Sequence, residues 1–161
     1  MSRRTLTHLD ARGAARMVDV AGKDRTVREA VAEAFVRASR KTLGLVRDGL
    51  AAKGDVLAVA RIAGIAAAKR APDLIPLCHP VALTAVAVDL AVERDGIRIT
   101  ATARAADRTG VEMEALTAVT ASALTVYDML KSAERGIVIT DVRLLSKTGG
   151  KSGTWRRSAK S

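Results

Sequence analysis

LTAVAVDLAVERDGIRITATAR, residues 83–104, alternates apolar and polar side chains with a period of two. Val86, Val88, Leu90 and Val92 fall on one face. Beyond Arg94-Asp95-Gly96, the residues Ile97, Ile99, Ala101 and Ala103 stand opposite Arg98, Thr100, Thr102 and Arg104. A period of two is that of a half-buried strand, and Asp-Gly between two such runs is a strong hairpin signal. This hairpin commits the chain to an antiparallel sheet, and the flanking segments decide what covers it.

Upstream, Thr26-Val27-Arg28-Glu29 has the spacing of a capping box. Val27, Ala30, Val31, Ala34, Phe35, Ala38, Leu45 and Val46 then form a helical stripe that ends near Asp48-Gly49. This spacing predicts a first helix, and Met17-Val18-Asp19-Val20 before it reads as a short strand. Asp55 is placed to cap a second, largely buried helix over 56–70. Pro72, Pro76 and Pro80 keep 71–80 irregular, because proline fits neither a helix interior nor a sheet ladder. Downstream, Thr109-Gly110-Val111-Glu112 repeats the capping-box spacing and predicts a helix to about Glu134. Gly136 stops it, and 137–145 reads as a strand. The expected fold is α+β, an antiparallel sheet with helices packed on one face. No repeat or linker divides it, so 1–161 is expected to be a single domain, with flexible ends at about 1–15 and 154–161.

At 161 residues, 48% hydrophobic and 27% charged, the chain has globular composition, which excludes global disorder. Its three aromatic residues, Phe35, Tyr127 and Trp155, leave the core to Ala, Val, Leu and Ile. Alanine buries little area, so subunit contacts are a mild expectation. The 27 basic and 17 acidic residues give a net charge of +10. Such a balance attracts nucleic acid, acidic lipid or a polyphosphate. Scarcity of aromatic rings counts against single-stranded nucleic acid, which needs stacking platforms. Lys147, Lys151, Arg156, Arg157 and Lys160 have no acidic neighbour in sequence, and 156–161 reads as a solvated basic end. Cys78 is the only cysteine, so no intramolecular disulfide forms and a Cys-based metal site is disfavoured. Residues 1–10 lack the apolar core of a secretory signal, and the longest apolar run, 56–68, is too short for a bilayer and contains Arg61. The chain is expected to be soluble and cytoplasmic.

Asp128 and Lys131 share a helix face at i and i+3; burial could match their proton affinities, although from spacing alone a surface ion pair is the favoured reading. Glu112 and Glu114 suit a helix N-terminus, and capping suffices for Glu112. Glu114 is less explained by it and could instead accept from ring N–H groups of a purine or pterin. In Leu77-Cys78-His79-Pro80, adjacent Cys and His rarely converge on one ion, and His8 is the only other histidine, so zinc is disfavoured. His79 reads either as an acid/base or ligand contact or, somewhat better, as a satisfied structural histidine. Residues 147–153, KTGGKSG, have the composition of a phosphate cradle without the order of a Walker loop.

Taken together, Met17-Val18-Asp19-Val20, Lys53-Gly54-Asp55-Val56, residues 60–65 (ARIAGI), 74–80 (LIPLCHP) and 109–117 (TGVEMEALT), Tyr127-Asp128-Met129 and 149–153 (GGKSG) resemble the molybdenum-cofactor biosynthesis protein C family, in order and nearly end to end. The resemblance implies a ferredoxin-like fold and a homohexamer built as a trimer of dimers, with the active site at the dimer interface. It implies the rearrangement of 3',8-cyclo-7,8-dihydro-GTP to cyclic pyranopterin monophosphate with loss of pyrophosphate, and no metal or organic cofactor. Carried over by motif, Asp128, Lys131, Lys53 and His79 fall on catalytic positions. Leu77, Cys78, His79, Met113, Glu114 and Glu112 fall on substrate contacts, and Arg28, Lys147 and Lys151 on triphosphate contacts. The chain departs from the pattern at Leu50-Ala51-Ala52, where the family often carries histidine before the lysine. A basic nucleic-acid-binding module and a non-catalytic assembly partner in the same pathway are the competing readings.

Overall fold

The computed structural model describes residues 12–158. Five strands, β1 (Thr26–Arg37), β2 (Leu83–Val92), β3 (Gly96–Asp107), β4 (Val138–Thr148) and β5 (Trp155–Arg156), form one antiparallel sheet in the order β2-β3-β1-β4-β5. The helices are α1 (Arg40–Arg47), α2 (Val56–Ala68), the four-residue α3 (Ala71–Leu74) and α4 (Glu112–Leu130). Without β5 this is the ferredoxin-like arrangement: two β-α-β crossovers interleave so that β1 lies between β3 and β4. The expected hairpin is present, with Val86↔Ala103, Val88↔Ala101 and Leu90↔Ile99 in register.

Ala30, Ala32, Ala34 and Val36 of β1 lie beside Ala103, Ala101, Ile99 and Ile97 of β3 and are fully buried. Alanines in these rows let α4 approach the sheet closely through Ala115, Ala118, Val119, Ala123 and Val126, all fully buried. α2 packs on β2 and against α4, where Ser122 Oγ donates to the Ala60 carbonyl at 2.9 Å. The opposite face carries a charge ladder. Glu33, 6% exposed, accepts from Arg98 at 3.1 Å and Arg143 at 2.7 Å, and Arg98 also lies 5.1 Å from the centre of the Phe35 ring.

The largest correction concerns residues 26–46. Thr26–Arg37 is the central strand, and the helix begins only after Ser39, whose side chain accepts from the Thr42 N–H. Alanine favours a helix in isolation, but pairing on both edges overrides that weak preference. Apolar Val27, Val31 and Phe35 on the second face also mask the period-two row and imitate a helical stripe. Smaller corrections follow. Residues 17–20 form no strand, and residues 71–74 make a short helix inside the proline-rich segment. At α4 the capping box is not closed: Val111 is the N-cap, no side chain caps it, and the helix ends at Leu130 rather than Glu134. Asp55 caps α2 as expected, accepting from the Ala58 N–H. Arg156 lies in β5, not in a solvated tail. His8, Lys160 and most of the two ends expected to be flexible lie outside the described residues.

Gly64 sits where α2 crosses α4. A Cβ there would collide with Ser122 Oγ and stand 2.9 Å from the Ala118 carbonyl oxygen. Gly64→Ala is therefore expected to destabilise the protein by about 1–3 kcal/mol despite its better helix propensity, as overpacking of a tight contact does. Chemical denaturation measures it, and a raised midpoint would refute the close crossing.

Candidate functional site

The residues singled out in the sequence gather at the two ends of α4. At its C-terminal end, Asp128 Oδ2 accepts from Lys53 Nζ at 2.6 Å and Oδ1 pairs with Lys131 Nζ at 2.7 Å. Lys53 Nζ also donates to the Asp128 backbone carbonyl at 3.0 Å. The two ammonium groups hold the Asp128 carboxyl down at about 2, with the Lys131 hydrogen bond the larger cause. The carboxylate in turn raises Lys131 above the ordinary lysine value. Lys53, Tyr127, Lys131, Ser132 and Arg135 line a shallow cavity of about 320 Å³ beside this cluster.

At the N-terminal end lies a cavity of about 470 Å³ lined by Leu77, Cys78, His79, Glu112, Met113 and the backbone around Val18 and Val20. Glu114 lies buried behind Cys78, one of the lining residues. It is 1% exposed, its Oε1 lies 3.7 Å from Cys78 Sγ, and its Oε2 has no hydrogen-bond partner. Burial raises the Glu114 pKa, and burial with the adjacent Glu114 carboxyl lifts the Cys78 thiol to about 11. Cys78 is therefore no nucleophile at neutral pH. His79 Nε2 lies 2.7 Å from the Val18 carbonyl oxygen, which can only accept, so Nε2 is the donor in this bond. This bond anchors Val18, which with Val20 lines the cavity, a better account of that motif than a strand.

A second cavity of about 610 Å³ adjoins the first and shares Lys23, Thr109 and Gly110 with it. Arg28, Arg108 and Lys151 also line it. Arg28 is 9% exposed and donates to the carbonyls of Asp107 (3.2 Å) and Arg108 (3.3 Å). Among the described residues no carboxylate pairs with it. A buried guanidinium without a counter-ion is a ready anion ligand. Gly149 and Gly150 take φ of 91° and 71° in the turn above it, and a Cβ at Gly150 would collide with the Arg28 guanidinium. The glycine-rich segment thus folds over Arg28, with Lys147 and Thr148 still within β4. Lys147 bonds Ser152 and lies 3.8 Å from Glu112, so it stands between the basic and acidic compartments.

One protomer thus brings Lys53, Asp128 and Lys131 together, and separately gathers Leu77, Cys78, His79, Glu112, Met113 and Glu114 beside Arg28, Lys147 and Lys151. It does not bring the two groups together. Glu114 and Asp128 are fourteen residues apart on one helix, about 21 Å along its axis at 1.5 Å per residue. Sequence reasoning missed Lys23 and Arg108. The adjacent glycine of Arg108-Thr109-Gly110, just ahead of a helix, is the signal that could have found the latter. Among the described residues no group of three His, Cys, Asp or Glu side chains could hold a metal ion, and no helix is long and apolar enough to cross a membrane.

Comparison with known proteins matches residues 17–150 to a family model described as the MoaC family. A cyclic pyranopterin monophosphate synthase of Streptomyces coelicolor is 60% identical over 153 residues, covering 95% of this chain and 90% of the relative. One from Thermomicrobium roseum is 62% identical over 154 residues (94% and 93%), and one from a Nocardioides species is 56% identical over 159 (97% and 98%).

Because its folded pKa is depressed, Asp128 keeps its two ion pairs above the ordinary carboxylate range and loses them as pH falls through about 2. Carbon-13 NMR of the side-chain carboxyl is expected to report that midpoint in the wild type. In Lys131→Met the midpoint should move up toward the ordinary range, and an unchanged one would remove Lys131 as the main partner.

Proposed function

Since the chain belongs to the MoaC family, we propose that it is a cyclic pyranopterin monophosphate synthase acting on 3',8-cyclo-7,8-dihydro-GTP in molybdenum cofactor biosynthesis, as a single domain in the cytoplasm. The observation that carries this reading is the joining of a cationic cavity to an acid-walled one through shared Lys23, Thr109 and Gly110. A triphosphate fits the first, against Arg28, Lys151 and Lys147. The N–H groups of a reduced purine-derived ring fit the second, against Glu114, Glu112, Met113 and the Leu77-Cys78-His79 segment. Carboxylates in the second compartment would repel a nucleic-acid backbone, which disfavours the nucleic-acid reading.

On this reading the cationic wall stabilises the departing pyrophosphate as the cyclic phosphate forms. Proton transfers during ring opening and rebuilding fall to Lys131, with Asp128 orienting it and Lys53 completing the cluster, and to His79 at the other end. No metal or organic cofactor is required by this scheme. The spacing of about 21 Å between Glu114 and Asp128 supports a site shared between two copies, each giving one end of α4. A homohexamer built as a trimer of dimers meets that requirement.

Pyrophosphate release from the cyclic dihydro-GTP tests the activity, and Lys131→Ala should lower it by at least about 100-fold with binding retained. A fully active variant would move the chemistry away from Lys131. Co-expression of Lys131→Ala with Glu114→Gln tests the shared site. If each dimer-interface site takes one end of α4 from each copy, random pairing restores roughly a quarter of wild-type activity. If one protomer holds a whole site, the mixture stays inactive.

A further inference from the structure

Arg108 lines the cationic cavity, yet none of the motifs that point to the site includes it. Its backbone is fixed on both sides: the N–H donates to Asp107 Oδ1 at 2.7 Å, and the carbonyl accepts from Arg28 Nη2 at 3.3 Å. Asp107 Oδ2 in turn accepts from the Ala82 N–H at 3.4 Å, which ties this corner to the segment following His79. The side chain is not satisfied in the same way. Arg108 Nε is buried and has no hydrogen-bond partner among the described residues. Buried donors are nearly always paired, and each exception needs an account.

We propose that Arg108 is a phosphate ligand, its Nε–H and one Nη–H forming a planar fork for two oxygens of a polyphosphate held jointly with Arg28 and Lys151. This rests on the triphosphate reading of the cavity. Three facts favour an anion over a neutral acceptor: the cavity is lined by Lys23, Arg28 and Lys151 against the one carboxylate of Asp24, Arg28 has no carboxylate partner among the described residues, and glycines at 110 and 150 leave backbone within reach of a ligand. Arg28 and Arg108 line the same wall, and a bound anion relieves the repulsion between their cationic groups. The fork separates arginine from lysine, whose single ammonium supplies a point charge without the second aligned donor.

Calorimetric titration of the full chain with inorganic tripolyphosphate at low salt tests this, with Arg108→Gln and Arg108→Lys beside the wild type. Arg108→Gln should weaken binding about tenfold or more, and Arg108→Lys should recover only part of that loss. The melting temperature of unliganded Arg108→Gln should not fall below the wild-type value, because Nε bonds nothing there and one like charge leaves the wall, while the upward shift caused by tripolyphosphate should shrink. Undiminished binding by Arg108→Gln would overturn the assignment and leave the synthase reading standing. Full recovery by Arg108→Lys would overturn the fork. A wild type that neither binds tripolyphosphate nor releases pyrophosphate from the cyclic dihydro-GTP would overturn both readings. One that releases pyrophosphate without binding tripolyphosphate would overturn only this one.

Discussion

The close packing of α4 on the alanine face of β1 sets the position of nearly everything else. Ala30, Ala32 and Ala34 lie in the middle of the sheet, all three paired to β3 on one edge and the first two to β4 on the other, where the register shifts at Ala34. Their small side chains let the helix lie across both neighbours. The same register builds the cationic cavity. Thr26 pairs with Asp107 and Glu29 with Thr148, so Arg28 emerges between the end of β3, which leads to Arg108 and α4, and the end of β4, which leads to Gly149 and Gly150. A slip of one residue in β1 would turn Arg28 to the opposite face and place Val27 or Glu29 under the glycine turn.

Buried charge in this protein is of two kinds. Glu33 is closed: two arginines meet its carboxylate, and nothing remains for a ligand to do. Arg28 and Glu114 are open. Arg28 has backbone carbonyls but no counter-ion, and Glu114 has an oxygen without any partner. Leaving a buried group unmet costs about 1–3 kcal/mol, so a fold keeps such groups where a ligand completes them. The opposite signs of the two open groups, in cavities that share lining residues, match a ligand with a polyanionic end and a donor-rich ring.

Much of this was legible in the sequence, for physical reasons that differ from place to place. The β2–β3 hairpin was legible because each strand has one covered face, so its period of two is clean. The central strand was not, because both its faces carry apolar side chains and its alanines imitate a helix. Among site residues, the glycine turn and the Cys-His segment stood out by composition alone, and Asp128–Lys131 only as an ordinary ion pair. Lys53 joins that pair through a contact spanning 75 residues, which local spacing cannot reveal. Lys23 carries no pattern at all, and Arg108 only the nearby Gly110 ahead of a helix; they matter because the fold brings both to the lining of one cavity.

The two ends of α4 also differ in what they require of each other. Around Asp128, two ammonium groups share one carboxylate, so that cluster keeps a positive excess. The cationic cavity at the far end keeps a larger one. Brought face to face by two copies, these surfaces would repel, and the same field would weaken the grip of Lys131 on its proton. A bound triphosphate would offset the positive excess of both walls. On the shared-site reading, substrate binding and completion of the site are then one electrostatic event.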